Sequence, residues 1–161
     1  MIVVVMGVSG SGKTTIGTAL AKRLGWPFLD GDDWHPPENV AKMAAGTPLS
    51  DADRWPWLDR LNAELRGREA RGESAVLACS ALKQAYRDRL ARGLIHWKLV
   101  FLHASLELLS KRIAERKHRY MPASLLHSQL ATLEPPAQAI AVNVAYPPDQ
   151  TVDMITAALQ R

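Results

Sequence analysis

The sequence predicts one three-layer α/β domain spanning residues 1–161 and built on a five-stranded parallel sheet. Two observations carry that expectation: five short apolar runs with no polar alternation, and helix-length patterns lying between them. Strands covered on both faces read as continuous apolar runs, and strand–helix alternation joins them by right-handed crossovers. A chain of 161 residues, 47% hydrophobic and 22% charged, is long enough to bury a full core.

The elements follow in order. Ile2 to Met6 is the first strand, and Lys13 to Leu24 the first helix, closed by Gly25. Pro27 to Asp30 is the second strand. His35 to Leu58, rich in Pro, Asp and Trp, is an excursion that contains a helix over Pro37 to Ala45 closed by Gly46. A helix over Trp57 to Arg71 leads to the third strand, Ala75 to Cys79, and one over Lys83 to Arg92, closed by Gly93, leads to the fourth, Trp97 to His103. After the helix Ser105 to Arg116 comes a second excursion, 117–136, holding a helix over Ser124 to Leu133. Ala139 to Val144 is the last strand and Gln150 to Leu159 the last helix.

Composition excludes several classes. Cys79 stands alone, so there is no disulfide framework or Cys-rich zinc site. Ile2 to Met6 is too short to span a membrane and has no basic segment before it, so neither anchor nor secretory signal is expected and the location expected is cytoplasmic. The net charge is +4, but the arginines are dispersed and only 6% of residues are aromatic, which argues against nucleic acid as partner. Phosphorylated small molecules suit the same charge.

Gly7-Val8-Ser9-Gly10-Ser11-Gly12-Lys13-Thr14 fits G-x-x-x-x-G-K-[ST] and sits between a strand and a helix, the context the motif requires. Its glycines let the backbone curl around a polyphosphate, so that amides and the helix N-terminus face the anion. Lys13 is expected on the β and γ phosphates and the Thr14 hydroxyl on Mg²⁺. Thr15, Arg112 and Arg116 complete the expected ATP-binding set. No N-K-x-D or D-x-x-G motif follows, so a small-molecule kinase is favoured over a GTPase. A shikimate-type or nucleoside-monophosphate-type kinase remains open, as does a nucleotide sensor that transfers nothing.

Asp30-Gly31-Asp32-Asp33 ends the second strand, where ligands gather in open α/β sheets. Phosphoryl transfer needs a metal anchor and a group that orients the attacking hydroxyl, and Asp30 and Asp32 can divide those tasks. His35 is a candidate substrate contact. Lys42, Arg54, Lys83 and Arg87 form a cationic set suited to an anionic acceptor, with Lys83 and Arg87 spaced one helical turn apart. Arg112 and Arg116, four apart at a helix end, look like the arginines that a closing lid brings to phosphate.

Beyond the phosphate loop, the chain carries Phe28-Leu29-Asp30-Gly31-Asp32 with His35-Pro36, then Asn39 with Lys42-Met43 and Gly46-Thr47-Pro48-Leu49. Downstream are Asp53-Arg54 with Pro56-Trp57-Leu58, Cys79-Ser80-Ala81-Leu82-Lys83 with Tyr86-Arg87-Asp88, and Met121-Pro122 through Leu125-Leu126, Ser128-Gln129 and Leu133-Glu134-Pro135. In this order the motifs resemble gluconokinases of the short P-loop, thermoresistant type over nearly the whole chain. The resemblance implies a nucleoside-monophosphate-kinase-like P-loop kinase fold with a helical lid over about 117–136. It also implies a homodimer and transfer of the ATP γ-phosphoryl group to the C6 hydroxyl of D-gluconate. On that reading Lys13 and Arg116 neutralise charge, Asp32 aligns the hydroxyl, and Asp30 holds the waters of Mg²⁺. Arg54, Lys42 and Arg87 supply cations to the acid, while Asp32 and His35 address its hydroxyls. Two departures stand out: His118-Arg119-Tyr120 where the family commonly has Gly-His-Phe, and Asn143 and Ala145 where aspartates are common.

Overall fold

The structure, a computed structural model, describes residues 1–115 and 123–161. Strands β1 (Ile2–Met6), β2 (Phe28–Asp30), β3 (Ala75–Ala78), β4 (Trp97–His103) and β5 (Ile140–Asn143) form one parallel sheet in the order β2-β3-β1-β4-β5. The helices are α1 (Lys13–Leu24), α2 (Pro37–Ala44), α3 (Asp51–Ala70), α4 (Gln84–Leu90), α5 (Leu106–Glu115), α6 (Ala123–Thr132) and α7 (Pro148–Leu159), with a 3₁₀ turn over Gly31–Trp34.

Every residue of β1 is fully buried, because side chains on successive positions point to opposite faces and both faces are covered. Ile2, Val4 and Met6 pack with Leu58, Leu61 and Leu65 of α3, Tyr86 and Leu90 of α4, Leu109 of α5 and Leu126 of α6. Val3 and Val5 pack with Ile16 and Leu20 of α1 and with Val152 and Ile155 of α7. These two cores make the three layers. Parallel pairing brings the carboxyl ends of β2, β3 and β1 to one edge, with Asp30 level with Ala78 and Ala78 level with Val5.

One expectation needs correcting. α3 starts at Asp51, six residues before Trp57, because Ser50 and Asp53 close a reciprocal capping box: the Asp53 amide donates to Ser50 Oγ at 3.1 Å and the Ser50 amide to Asp53 Oδ2 at 2.9 Å. Pro56 then lies inside the helix without ending it, since Ala52, whose carbonyl it leaves unbonded, is solvent-exposed. Of the segment expected to be a lid, the part from α6 onward is described. It is anchored, with Leu126 only 2% exposed and the Glu134 amide donating to the Leu82 carbonyl at 2.8 Å. Residues 116–122, and with them Arg116 and His118-Arg119-Tyr120, lie outside the described residues.

Candidate active site

The loop from β1 to α1 needs glycine at specific points. Gly10 and Gly12 have φ of 83° and 88°, in the left-handed region that costs other residues energy. A Cβ on Gly7 would lie 2.6 Å from Ser11 Oγ and 2.8 Å from the Leu102 carbonyl oxygen. Gly12 caps α1 without a side-chain acceptor, so the first amides of the helix are left to an anion. Lys13 Nζ lies along the loop and donates to the Val8 carbonyl at 3.2 Å. The Ser9 amide donates to Gln129 Oε1 of α6 at 2.7 Å.

Beside the loop opens a cavity of about 350 Å³ lined by Gly10, Ser11, Gly12, Thr15, Arg112, Val144 and Tyr146, among others. Arg112 Nη2 donates to the Val144 carbonyl at 2.6 Å, which holds the guanidinium at the cavity wall. Asn143 Oδ1 accepts the Ala145 amide at 2.9 Å. Its amide oxygen thus closes the turn that a carboxylate would close.

Asp30 divides its two oxygens. Oδ1 accepts the Asp32 amide at 3.0 Å and so starts the 3₁₀ turn, while Oδ2 lies 3.5 Å from Thr14 Oγ1. A hydroxyl and a carboxylate at that separation are hard oxygen donors of the kind Mg²⁺ takes. Among the described residues no group of three or more His, Cys, Asp or Glu side chains is arranged to hold a metal. The turn that presents Asp32 is fixed from behind. Trp57 Nε1 donates to the Gly31 carbonyl at 2.7 Å, and a Cβ on Gly31 would stand 2.7 Å from the Ala78 carbonyl oxygen. The Asp32 side chain is 60% exposed at the open edge.

His35 is buried and stacked on Trp57 with ring centroids 4.0 Å apart. Asn39 Nδ2 donates to the Asp53 carbonyl at 2.9 Å, and it also donates to His35 Nδ1 at 3.1 Å. The imidazole proton therefore sits on Nε2, which faces Asp32 Oδ1 at 4.0 Å. Burial, and then the nearby Arg54 charge, lower the His35 pKa to about 4, so the ring is neutral.

The structure sorts the four expected cations. Lys42 forms a two-pronged ion pair with Asp53, at 3.0 and 2.8 Å, and that contact leads the causes that lower the Asp53 pKa to about 2. Lys83 lies 3.5 Å from Asp51 Oδ1. Arg54 is held by neutral groups: Nη1 donates to the Leu49 carbonyl at 2.6 Å and to Tyr86 Oη at 3.1 Å, with the guanidinium over the Tyr86 ring. Tyr86 in turn donates to Asp51 at 2.5 Å. Arg87 is not brought to this group. It is 3% exposed, and its guanidinium donates to the carbonyls of Ala81, Leu82 and Glu134 at 2.8, 3.2 and 2.8 Å. It braces the wall of the site. Tyr86, Asp51, Asp53 and Asn39 arrange these groups, mainly through contacts 11 to 35 residues away in the chain that no local spacing announces.

Residues 2–136 match the protein family described as AAA domain. A probable gluconokinase from Xenopus tropicalis is 48% identical over 99% of this chain and 92% of its own. A gluconokinase from Gluconobacter oxydans is 53% identical, covering 83% of this chain and 75% of its own. The crystal structure of a gluconokinase from Sinorhizobium meliloti superposes with a TM-score of 0.89 at 47% identity, covering 99% of this chain and 91% of that one.

Proposed function

Because the chain belongs to the gluconokinase family, we infer that it is an ATP-dependent kinase of gluconate, and we propose the C6 hydroxyl of D-gluconate as acceptor, with 6-phospho-D-gluconate and ADP as products. What supports this reading is a sheet edge that carries a phosphate loop and the Thr14–Asp30 oxygen pair, in a chain 48% identical to a probable gluconokinase over nearly its full length.

In this reading the amides from Gly10 to Thr15 and the Lys13 ammonium hold the ATP phosphates, Arg112 flanks the nucleotide, and Arg116 meets the transferred group. Thr14 and Asp30 would hold Mg²⁺, which supplies charge neutralisation across the β and γ phosphates. Asp30 spends one oxygen on the 3₁₀ turn and turns the other to Thr14, which leaves Asp32 to align the C6 hydroxyl. The hydroxyl oxygen bonds to the γ phosphorus as the bond from that phosphorus to the β–γ bridging oxygen breaks, and Asp32 accepts the proton. His35 Nε2 faces Asp32 Oδ1 across 4.0 Å, at the same corner. Arg54, with its neutral partners, faces the anionic acid, while the charges of Lys42 and Lys83 are largely offset by Asp53 and Asp51.

Homodimerisation and a cytoplasmic location rest on the family likeness; among the described residues no helix is long and apolar enough to cross a membrane. The deciding experiment is Mg²⁺-ATP turnover with D-gluconate against shikimate, AMP and no acceptor, with the product assigned by mass and NMR. Only gluconate should yield product, phosphorylated at C6, and Lys13→Ala should lower kcat by about 10²–10³-fold. No gluconate-dependent product would overturn the reading.

A further inference from the structure

Gln129 joins two parts of the site that are far apart in the chain. A backbone N–H can only donate, so the atom of Gln129 that meets the Ser9 amide at 2.7 Å must be the side-chain oxygen. That contact fixes the orientation of the whole amide and sends its NH₂ group the other way. Among the described residues that NH₂ group has no hydrogen-bond partner, and it is not sealed from solvent. Gln129 also lines a small pocket, of about 70 Å³, together with Thr47, Leu49, Arg54 and Leu82. Leu126, one helical turn earlier on α6, is buried in the core, which sets the height of Gln129 over the loop.

We propose that Gln129 is a specificity-determining residue: its oxygen steadies the Ser9 amide of the phosphate loop while its NH₂ group donates to an oxygen of the bound sugar acid in the Arg54 pocket. This rests on the gluconate reading above. A polyhydroxylated carboxylate presents mainly lone pairs, and Arg54 Nη1 is already engaged with Leu49 and Tyr86. An oriented amide donor beside Arg54 supplies what the acid needs. It also makes the occupied acceptor pocket support the loop that carries ATP.

The test separates the two ends of the amide. Gln129→Glu keeps an oxygen for the Ser9 amide but replaces the donor by a negatively charged acceptor. It should raise the KM for gluconate at least tenfold and leave the KM for ATP within about twofold of wild type. Gln129→Leu removes both ends and should raise both constants, with melting curves showing that each variant is folded. An unchanged gluconate KM in Gln129→Glu overturns the proposal, as does an equal rise in both constants, which reduces Gln129 to a prop for the loop. Wild-type turnover of gluconate in the same assay tests the underlying reading by itself. Its absence overturns both.

Discussion

At His35 the fold holds a neutral imidazole between Trp57, Asn39 and Asp32, and this gives stability a defined pH dependence. The folded pKa is lowered to about 4 against an unfolded value of 6.5. Between those values the unfolded chain binds a proton that the folded one does not, so stability is complete above pH 6.5 and falls as pH drops toward 4, by at most about 1.4 kcal/mol per unit. Urea unfolding of the wild type at pH 7, 6 and 5 should show this decline. His35→Asn, which keeps an acceptor for Asn39 but has no titratable ring, should show a shallower one, and equal slopes would assign the dependence elsewhere. Asp32 makes a different demand on the same corner. Asp32→Asn preserves shape and removes basicity, so kcat should fall by about 10²–10⁴-fold while the KM for ATP stays near wild type. Steady-state kinetics with each substrate varied will read both, and a retained kcat would restrict Asp32 to orientation.

Among the elements, the 3₁₀ turn over Gly31–Trp34 depends on one missing methyl group. A Cβ at Gly31 would stand 2.7 Å from the Ala78 carbonyl, an atom held in the β2–β3 ladder that cannot retreat cheaply. Gly31→Ala should therefore cost about 1–3 kcal/mol and lower kcat as well, because the same shift displaces Asp30 and Asp32. Denaturant midpoints and turnover measured together check this, and lost stability with full activity would mean that the strain relaxes away from the site. Elements of this kind were only partly legible in the sequence. Strand β1 and helix α1 are where continuous apolar residues and a Gly25 cap at φ 71° predict them, since local chemistry decides both. The start of α3 lies at Asp51 rather than Trp57 because Ser50 and Asp53 cap each other upstream of Pro56. The pairing of Lys83 with Arg87 failed for a geometric reason. Lys83 is the extended N-cap of α4, with φ −102° and ψ 151°, so the two residues share no helical face and Arg87 turns into the protein. Asp30, by contrast, stands where its sequence places it, at the carboxyl end of a parallel strand, which is the edge where open α/β sheets bind ligands.

For the whole molecule, β1 couples the two cores. Its five buried residues alternate between them, so neither helical layer can detach without exposing the central strand. Ligands bound along the carboxyl edge should accordingly stabilise the protein as one unit and raise a single thermal transition. A ligand at one hundred times its Kd adds about 2.7 kcal/mol, which for a chain of this size is a rise of about 5–10 °C in Tm. In the proposed reading the nucleotide and acceptor sites draw on different residues, and this makes their contributions separable. With Mg²⁺-ATP at a fixed concentration, Lys13→Ala should lose most of the shift while Asp32→Asn keeps it. With gluconate alone, Arg54→Met should lose the shift while Lys13→Ala keeps it, since Arg54 is tied to Leu49 and Tyr86 on the acceptor side. Differential scanning calorimetry of the four proteins with each ligand reads all of these shifts. Two separately moving transitions would contradict the coupling through β1, and loss of the gluconate shift in Lys13→Ala would show that the acceptor pocket forms only around a loop whose lysine is in place.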